Sequence, residues 1–224
     1  MQVGENKILN TLSYFSNRKY DAVFHLFYAL PIGLASVTTK SSVSGDTAIF
    51  KIEINSIYHH IIESCFNVKT GKPVWHKWKI DSIFGKKDVF AYFDNDKKLI
   101  YYTQNSETRV ISFKEQVYDP LSAIIYYITG LTSSGMLQEG ELKTDILWYN
   151  GGIYVANLGI KKEKQLFRVE VLSNKKPGGY VYFDKIGRPV GGEAYAFPIV
   201  GRVSAYDEKL KKELKKQERL SEQV

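Results

Sequence analysis

Asp119 and Ser122 stand three residues apart in the run Asp119-Pro120-Leu121-Ser122, a carboxylate and a hydroxyl one helical turn from each other. With a histidine, such residues could support nucleophilic catalysis. No histidine lies near them in the chain. A second reading uses both without chemistry. Asp119 serves as N-cap and accepts backbone N–H groups, Pro120 fits the first helical position, and Ser122 is tolerated in the first turn. The capping reading is the simpler one, and it predicts a helix that starts here.

The remaining chemical groups are sparse. The histidines are His25, His59, His60 and His76. On a strand His59 and His60 would face opposite ways and could not hold one metal ion; on a helix His60 and Glu63 would align as a two-ligand fragment. Strand histidines without a metal are the preferred reading, so no metal and no cofactor are expected. Cys65 is the single cysteine, which rules out an intrachain disulfide and a cysteine-based metal site. Its place between Ser64 and Phe66 predicts a small buried apolar side chain. Gly85-Lys86-Lys87 lacks the upstream glycine and the hydroxyl residue of a phosphate-binding loop, and neither a nucleophile elbow nor a zinc-helix motif occurs. A catalyst is therefore not expected.

Aromatic residues give a different signal. Trp75 and Trp78 flank His76-Lys77, and Tyr101-Tyr102 follow. Aromatics interleaved with lysine can stack nucleic-acid bases on a sheet, can line an apolar ligand cleft, or can be divided between a core face and a dressed surface.

These residues must be positioned mainly by strands. In residues 50–55, Phe50, Ile52 and Ile54 alternate with Lys51, Glu53 and Asn55, the pattern of a half-buried strand. Residues 20–28 repeat it, with Tyr20, Ala22, Phe24, Leu26 and Tyr28 on one face. Turn signals recur at Pro31-Ile32-Gly33, Ser44-Gly45-Asp46, Thr70-Gly71-Lys72-Pro73, Asp94-Asn95-Asp96, Asn150-Gly151-Gly152 and Lys176-Pro177-Gly178-Gly179. Asn150-Gly151 predicts a hairpin whose two central residues have positive φ. From Asp119 the spacing turns helical through Leu121, Ile124, Ile125 and Ile128, with Gly130 as the stop. Tyr92-Phe93-Asp94 and Tyr182-Phe183-Asp184 echo each other as strands that end in Asp-led turns.

The 224 residues contain 44% hydrophobic and 25% charged residues, the make-up of a folded globular chain that can bury a core. The net charge of +7 favours anionic partners, but the basic residues are scattered, which argues against a nucleic-acid binder. No apolar run approaches the ~20 residues of a membrane-spanning helix. Residues 1–10 show no leader, so the chain is either cytoplasmic or exported with its leader outside this sequence. Residues 207–224 are rich in Lys, Glu and Gln and predict a solvated terminal helix, with Glu208 and Lys212 in a favourable i,i+4 pair.

The order of these motifs resembles a family of bacterial envelope proteins, the domain of unknown function 3108. Pro31-Ile32-Gly33-Leu34-Ala35 is similar to its turn and following strand. Phe93-Asp94 and Phe183-Asp184, the latter with Arg188-Pro189-Val190, are similar to its strand ends. Asp119 and Ser122 with Tyr126 match its Asp-x-x-Ser-x-x-x-Tyr helix start, the most specific part of a likeness that spans residues 20–206. The resemblance implies export to the periplasm or outer envelope, a barrel-like antiparallel fold and no established activity.

The expected fold is mainly β: an antiparallel curved sheet or incompletely closed barrel with one short helix and a charged C-terminal helix. Residues 1–19 are expected to be an extension, 20–206 the β-rich domain and 207–224 a tail. The leading functional expectation is a non-catalytic envelope protein that holds a lipid or other amphiphile on a concave face carrying Phe24, Phe50, Trp78 and Tyr101. The alternative is a protein-interaction module of an envelope assembly, ahead of a hydrolase or nucleic-acid binder.

Overall fold

The computed structural model describes residues 5–26, 30–56, 59–82, 85–133, 136–173, 176–196, 201–209, 212–213, 216 and 219. The chain opens with helix α1 (Glu5–Phe15) and continues through β1 (Arg18–Leu26), β2 (Leu30–Ser44), β3 (Thr47–Asn55), β4 (His59–Asn67), β5 (Pro73–Ser82), β6 (Gly85–Asp94), β7 (Leu99–Gln104), β8 (Glu107–Ser112) and the short β9 (Val117–Tyr118). Helix α2 (Pro120–Leu131) follows, then β10 (Thr132–Ser133), β11 (Met136–Leu137), β12 (Gly140–Leu147), β13 (Ile153–Glu163), β14 (Leu166–Ser173), β15 (Lys176–Phe183), β16 (Pro189–Ala196) and β17 (Gly201–Tyr206).

Fifteen of these strands form one sheet in the order β8-β7-β6-β5-β4-β3-β2-β1-β17-β16-β15-β14-β13-β12-β9, and β10-β11 form a separate hairpin. All neighbours in the large sheet run antiparallel except β12 and β9. A twisted sheet of this width curls on itself. Its β7–β8 end meets the β12–β13 turn through contacts other than strand pairing: the Tyr102 hydroxyl donates to the Tyr149 carbonyl at 2.6 Å and Arg109 Nη2 to the Asn150 carbonyl at 2.6 Å. The architecture is the expected incompletely closed antiparallel barrel.

The two helices fill the concave side. Ile8, Leu12 and Phe15 of α1 and Leu121, Ala123, Ile125, Tyr127 and Ile128 of α2 share one core with Phe50, Phe66, Leu158, Phe167 and Phe183 of the sheet. Phe15 meets Phe50 edge-on at 5.4 Å and Phe183 at 5.7 Å. The residues read as an N-terminal extension thus contribute a core helix. Its signal was the stripe Ile8, Leu12, Phe15 on one helical face, flanked by the partly buried Leu9 and Tyr14 and interrupted by Asn10, Thr11 and Ser13. Each such side chain stabilises the fold by about 1.5–3 kcal/mol through burial.

Other sequence expectations resolve individually. Asp119 caps α2 and Pro120 starts it, as read. Gly130 does not stop the helix: α2 runs to Leu131 and is closed by Thr132 in extended conformation, whose N–H and hydroxyl both bond the Ile128 carbonyl. Thr132 must already be extended because it enters β10. The β12–β13 hairpin forms, but only Gly151 of its Asn-Gly pair has positive φ (72°). The five-residue connection 148–152 closes by Gly151 N to the Trp148 carbonyl, so it does not need the two-residue mirror-image turn. That turn occurs instead at Asn105-Ser106 (φ 49° and 74°) between β7 and β8. Pro31-Ile32-Gly33 and Lys176-Pro177-Gly178-Gly179 are not turns but strand segments, each beside a register shift, where a proline's missing N–H is tolerated. Asp94 and Asp184 do lead turns; Asp184 accepts from Ile186 N, Arg188 N and Arg188 Nε.

In the tail, residues 208, 209, 212, 213, 216 and 219 are helical and exposed, and Leu210 and Leu214 lie outside the described residues. Asp207 still belongs to the barrel, through Asp207 N to the Val190 carbonyl and a 3.4 Å ion pair with Arg18. Truncation after Asp207 is therefore expected to shift the melting temperature by less than about 2 °C, since exposed charged termini bury little. A calorimetric drop beyond that would mean that Leu210 and Leu214 dock on the sheet.

Candidate functional site

Two places on the molecule concentrate unusual side chains. The first is buried. Alternation along β4 and β5 places Ser64 and His76 directly opposite each other on the concave face, and the N-terminus of α2 is laid over them. Asp119 is the hub. Its Oδ1 accepts Leu121 N at 3.0 Å and Ser122 N at 3.2 Å, and lies 3.3 Å from His76 Nδ1. Its Oδ2 accepts the hydroxyls of Ser122 at 2.6 Å and Ser64 at 2.7 Å. Burial pushes the Asp119 carboxyl upward, but the adjacent His76 imidazole and the hydrogen bonds from Ser122 and Ser64 outweigh it and hold the group below the ordinary carboxylate range.

Serine, histidine and aspartate are the residue types of a hydrolytic triad, but the connectivity differs. In a triad the histidine stands between hydroxyl and carboxylate. Here both serines donate to the carboxylate itself. Ser64, His76, Asp119 and Ser122 are all exposed by 2% or less, so substrate has no approach to them. The cluster locks α2 onto β4 and β5. Sequence reasoning found its Asp119 and Ser122 and missed Ser64 and His76, which no local signal connects to a helix some forty residues on. Tyr126, the third motif residue, stacks on Tyr118 at 5.3 Å and covers Gly71.

The four residues expected to share a concave ligand face are divided. Phe50 lies in the core against Phe15. Trp78 lies in a second cluster, its ring nearly parallel to that of His60 at 5.3 Å and met edge-on by Trp148 and Tyr149 at 5.9 and 5.0 Å. Phe24 is on β1, and its side chain lies outside the described residues. Tyr101 is on the opposite, outer face: its neighbours Ile100 and Tyr102 are the buried ones. The period of two that placed Tyr101 inward had its phase reversed.

That outer face is the second place. Register aligns Ile49, Cys65, Trp75, Tyr92, Tyr101 and Val110 in one row across β3 to β8. Tyr92 packs on Tyr101 at 6.2 Å, and Trp75 on Phe90 of the adjoining row at 6.2 Å. Phe90, Tyr92 and Val110 are 42%, 45% and 57% exposed. Within this row Cys65 is buried, as expected of a small apolar residue, and burial raises its thiol pKa. Most charges around the row are paired, Lys51 with Glu53 and Glu63, Lys79 with Asp88 and Lys86 with Asp81, while Lys77, between Glu63 and Phe90, makes no ion pair among the described residues. No continuous basic stripe accompanies the aromatics among the described residues, as a nucleic-acid platform would require.

Neither place offers a metal ligand set, and among the described residues no three His, Cys, Asp or Glu side chains cluster. His60 and Glu63 sit on a strand, not a helix. A shallow cleft of about 330 Å³ at the barrel seam is lined by Tyr102, Gln104, Asn105, Glu107, Arg109 and Asn150 and is open and polar.

No protein-family model matches the chain, and no curated protein matches it significantly. Among solved structures it is similar to a β-barrel-like protein of the domain of unknown function DUF1849 from Brucella abortus, with a TM-score of 0.54 and 9% identity over 84% of this chain and 93% of that one. At such identity the likeness is one of fold. It supports a β-rich, barrel-like fold; that neighbour's family is not the one whose motifs this sequence resembles.

Proposed function

We propose that this protein is a non-catalytic binding module of the bacterial envelope that engages a protein partner through the outer face of β5 to β8. The observation that carries the proposal is the contrast between the two faces of one sheet. The inner face at Phe50 and Trp78 is covered by α1 and by the β12–β13 connection, while the outer face leaves Phe90, Tyr92 and Val110 in water. Contiguous exposed aromatics among largely paired charges are the composition of an interaction surface. Carriage of a lipid inside the barrel would need an open concave apolar face, and at positions 50 and 78 that space is taken. The envelope setting rests on the motif resemblance alone; fractionation of the producing cells tests it.

The experiment for the binding mode places a photo-crosslinking amino acid at Tyr92 and, as control, at the exposed Lys161 on the far side of the sheet. A protein adduct of defined mass is expected at 92 and none at 161. No adduct at 92, together with saturable binding of a fluorescent fatty-acyl probe, would replace the interaction module with an amphiphile carrier.

A further inference from the structure

The two edges of the large sheet are handled differently. The edge at β9 is two residues long and buried. The edge at β8 is six residues long, Glu107-Thr108-Arg109-Val110-Ile111-Ser112, and its first four residues are exposed. Edge strands are normally guarded by lysine, proline, bulges or covering chain, because their free N–H and C=O groups pair with any other strand. β8 carries neither lysine nor proline and no register shift. Its one cation, Arg109, is turned inward, 4.8 Å over the Tyr102 ring and bonded to Asn150.

We infer that β8 pairs with β8 of a second copy of this chain, antiparallel and about a two-fold axis at Val110. The inference rests on the outer face being an interaction surface, and it names the partner. The register follows from the hairpin. The two-residue turn at Asn105-Ser106 makes Gln104 and Glu107 a hydrogen-bonded pair, so Tyr102/Arg109 and Ile100/Ile111 are hydrogen-bonded pairs as well. The backbone groups of Thr108, Val110 and Ser112 then point away from β7, to the open edge. Self-pairing centred on Val110 matches Val110 with Val110 and Thr108 with Ser112, so all three outward residues find partners. Arg109 meets Ile111 and no like charges oppose each other. Centring on Arg109 would oppose two guanidinium groups, and centring on Thr108 would set Val110 against the turn residue Ser106. Side-chain parity agrees: Val110 of each copy lies on the outer face, so the row Trp75–Tyr92–Tyr101–Val110 becomes continuous across both molecules. The closed two-fold arrangement leaves no further β8 edge to recruit a third chain. One short strand with its flanking side chains buries less than about 1,200 Å², which places the dimer in the transient class.

Sedimentation equilibrium over a concentration series of the full chain tests this. A monomer–dimer equilibrium is expected, and Val110→Lys, which sets two ammonium groups opposite each other at an exposed position, should raise the dissociation constant at least about tenfold with an unchanged circular-dichroism spectrum. Val110→Cys gives an independent readout. Hydrogen-bonded antiparallel pairs hold their Cα atoms about 5.5 Å apart, within disulfide range, so oxidised glutathione should yield a covalent dimer. Thr108→Cys should not, because it faces Ser112. Crosslinking at Thr108 but not at Val110 would overturn the register, and dimerisation indifferent to Val110→Lys would overturn the edge. A monomer at every concentration that still forms a heterologous adduct at Tyr92 would overturn self-pairing and leave the interaction module standing; a monomer with no adduct would remove both.

Discussion

Asp119→Ala is expected to destabilise the fold by about 3–5 kcal/mol, well above the ~1 kcal/mol typical of a lost N-cap. The difference comes from what surrounds the carboxylate. Two backbone N–H groups and the hydroxyls of Ser64 and Ser122 donate to it, and His76 Nδ1 lies 3.3 Å away, all in a site closed to water. Removing the acceptor strands these groups, and each stranded buried donor costs about 1–3 kcal/mol before relaxation. Ser64→Ala removes one donor and leaves the rest, so about 1 kcal/mol is expected there. Urea unfolding of the two variants beside the parent measures both. Near-equal losses would show that Asp119 acts as an ordinary cap. The pH dependence has a definite sign. The folded carboxyl is held below its unfolded value, so its contribution is complete above about pH 4 and is lost as pH falls further.

The fold was legible wherever one face of a strand met water. Phe50 and Ile54 are buried and alternate with partly or fully exposed neighbours, and that alternation alone identifies β3. It cannot supply the phase where both faces carry large side chains. Along 99–102 the run Leu99-Ile100-Tyr101-Tyr102 is apolar throughout, and only the curl of the sheet decides that Tyr102 goes in and Tyr101 out. Helix α2 was legible because its start is written in capping chemistry. Helix α1 was not, because three core residues among eight others make a faint stripe. The buried cluster divides in the same way. Asp119 and Ser122 are neighbours in the chain and were seen together, whereas Ser64 and His76 reach them only through the β4–β5 register and the return of the chain at 119. Long-range convergence of this kind leaves no mark in local spacing.

His60 sets the second large effect, a loss of about 3 kcal/mol between pH 6.5 and pH 4. Position 60 faces the concave side between Ile54 and Ile80, both buried, and its Nε2 accepts the indole N–H of Trp78. Burial, with a smaller contribution from His59, depresses its pKa from 6.5 to about 4. A histidine depressed in the folded state is charged first in the unfolded chain. Between the two values the unfolded state carries the extra proton, so stability rises with pH through this window and levels off above it. The His60 and Trp78 rings are nearly parallel and meet edge to edge through the indole N–H bond, so an imidazolium there would not lie over the indole face and would gain little cation–π attraction. Protonation would also abolish the acceptor and set an N–H against the indole N–H, so the desolvation cost prevails. His60→Gln keeps a polar group that does not titrate in this range. Urea midpoints of the parent should fall steadily from pH 7 to pH 4, while the variant, less stable at pH 7, should stay nearly flat until the Asp119 window opens below about pH 4. The two residues act in adjoining pH ranges, so one titration series separates them. A parent profile as flat as the variant's above pH 4 would show that His60 exchanges protons with solvent as freely folded as unfolded, and that the concave face around Trp78 is open to water.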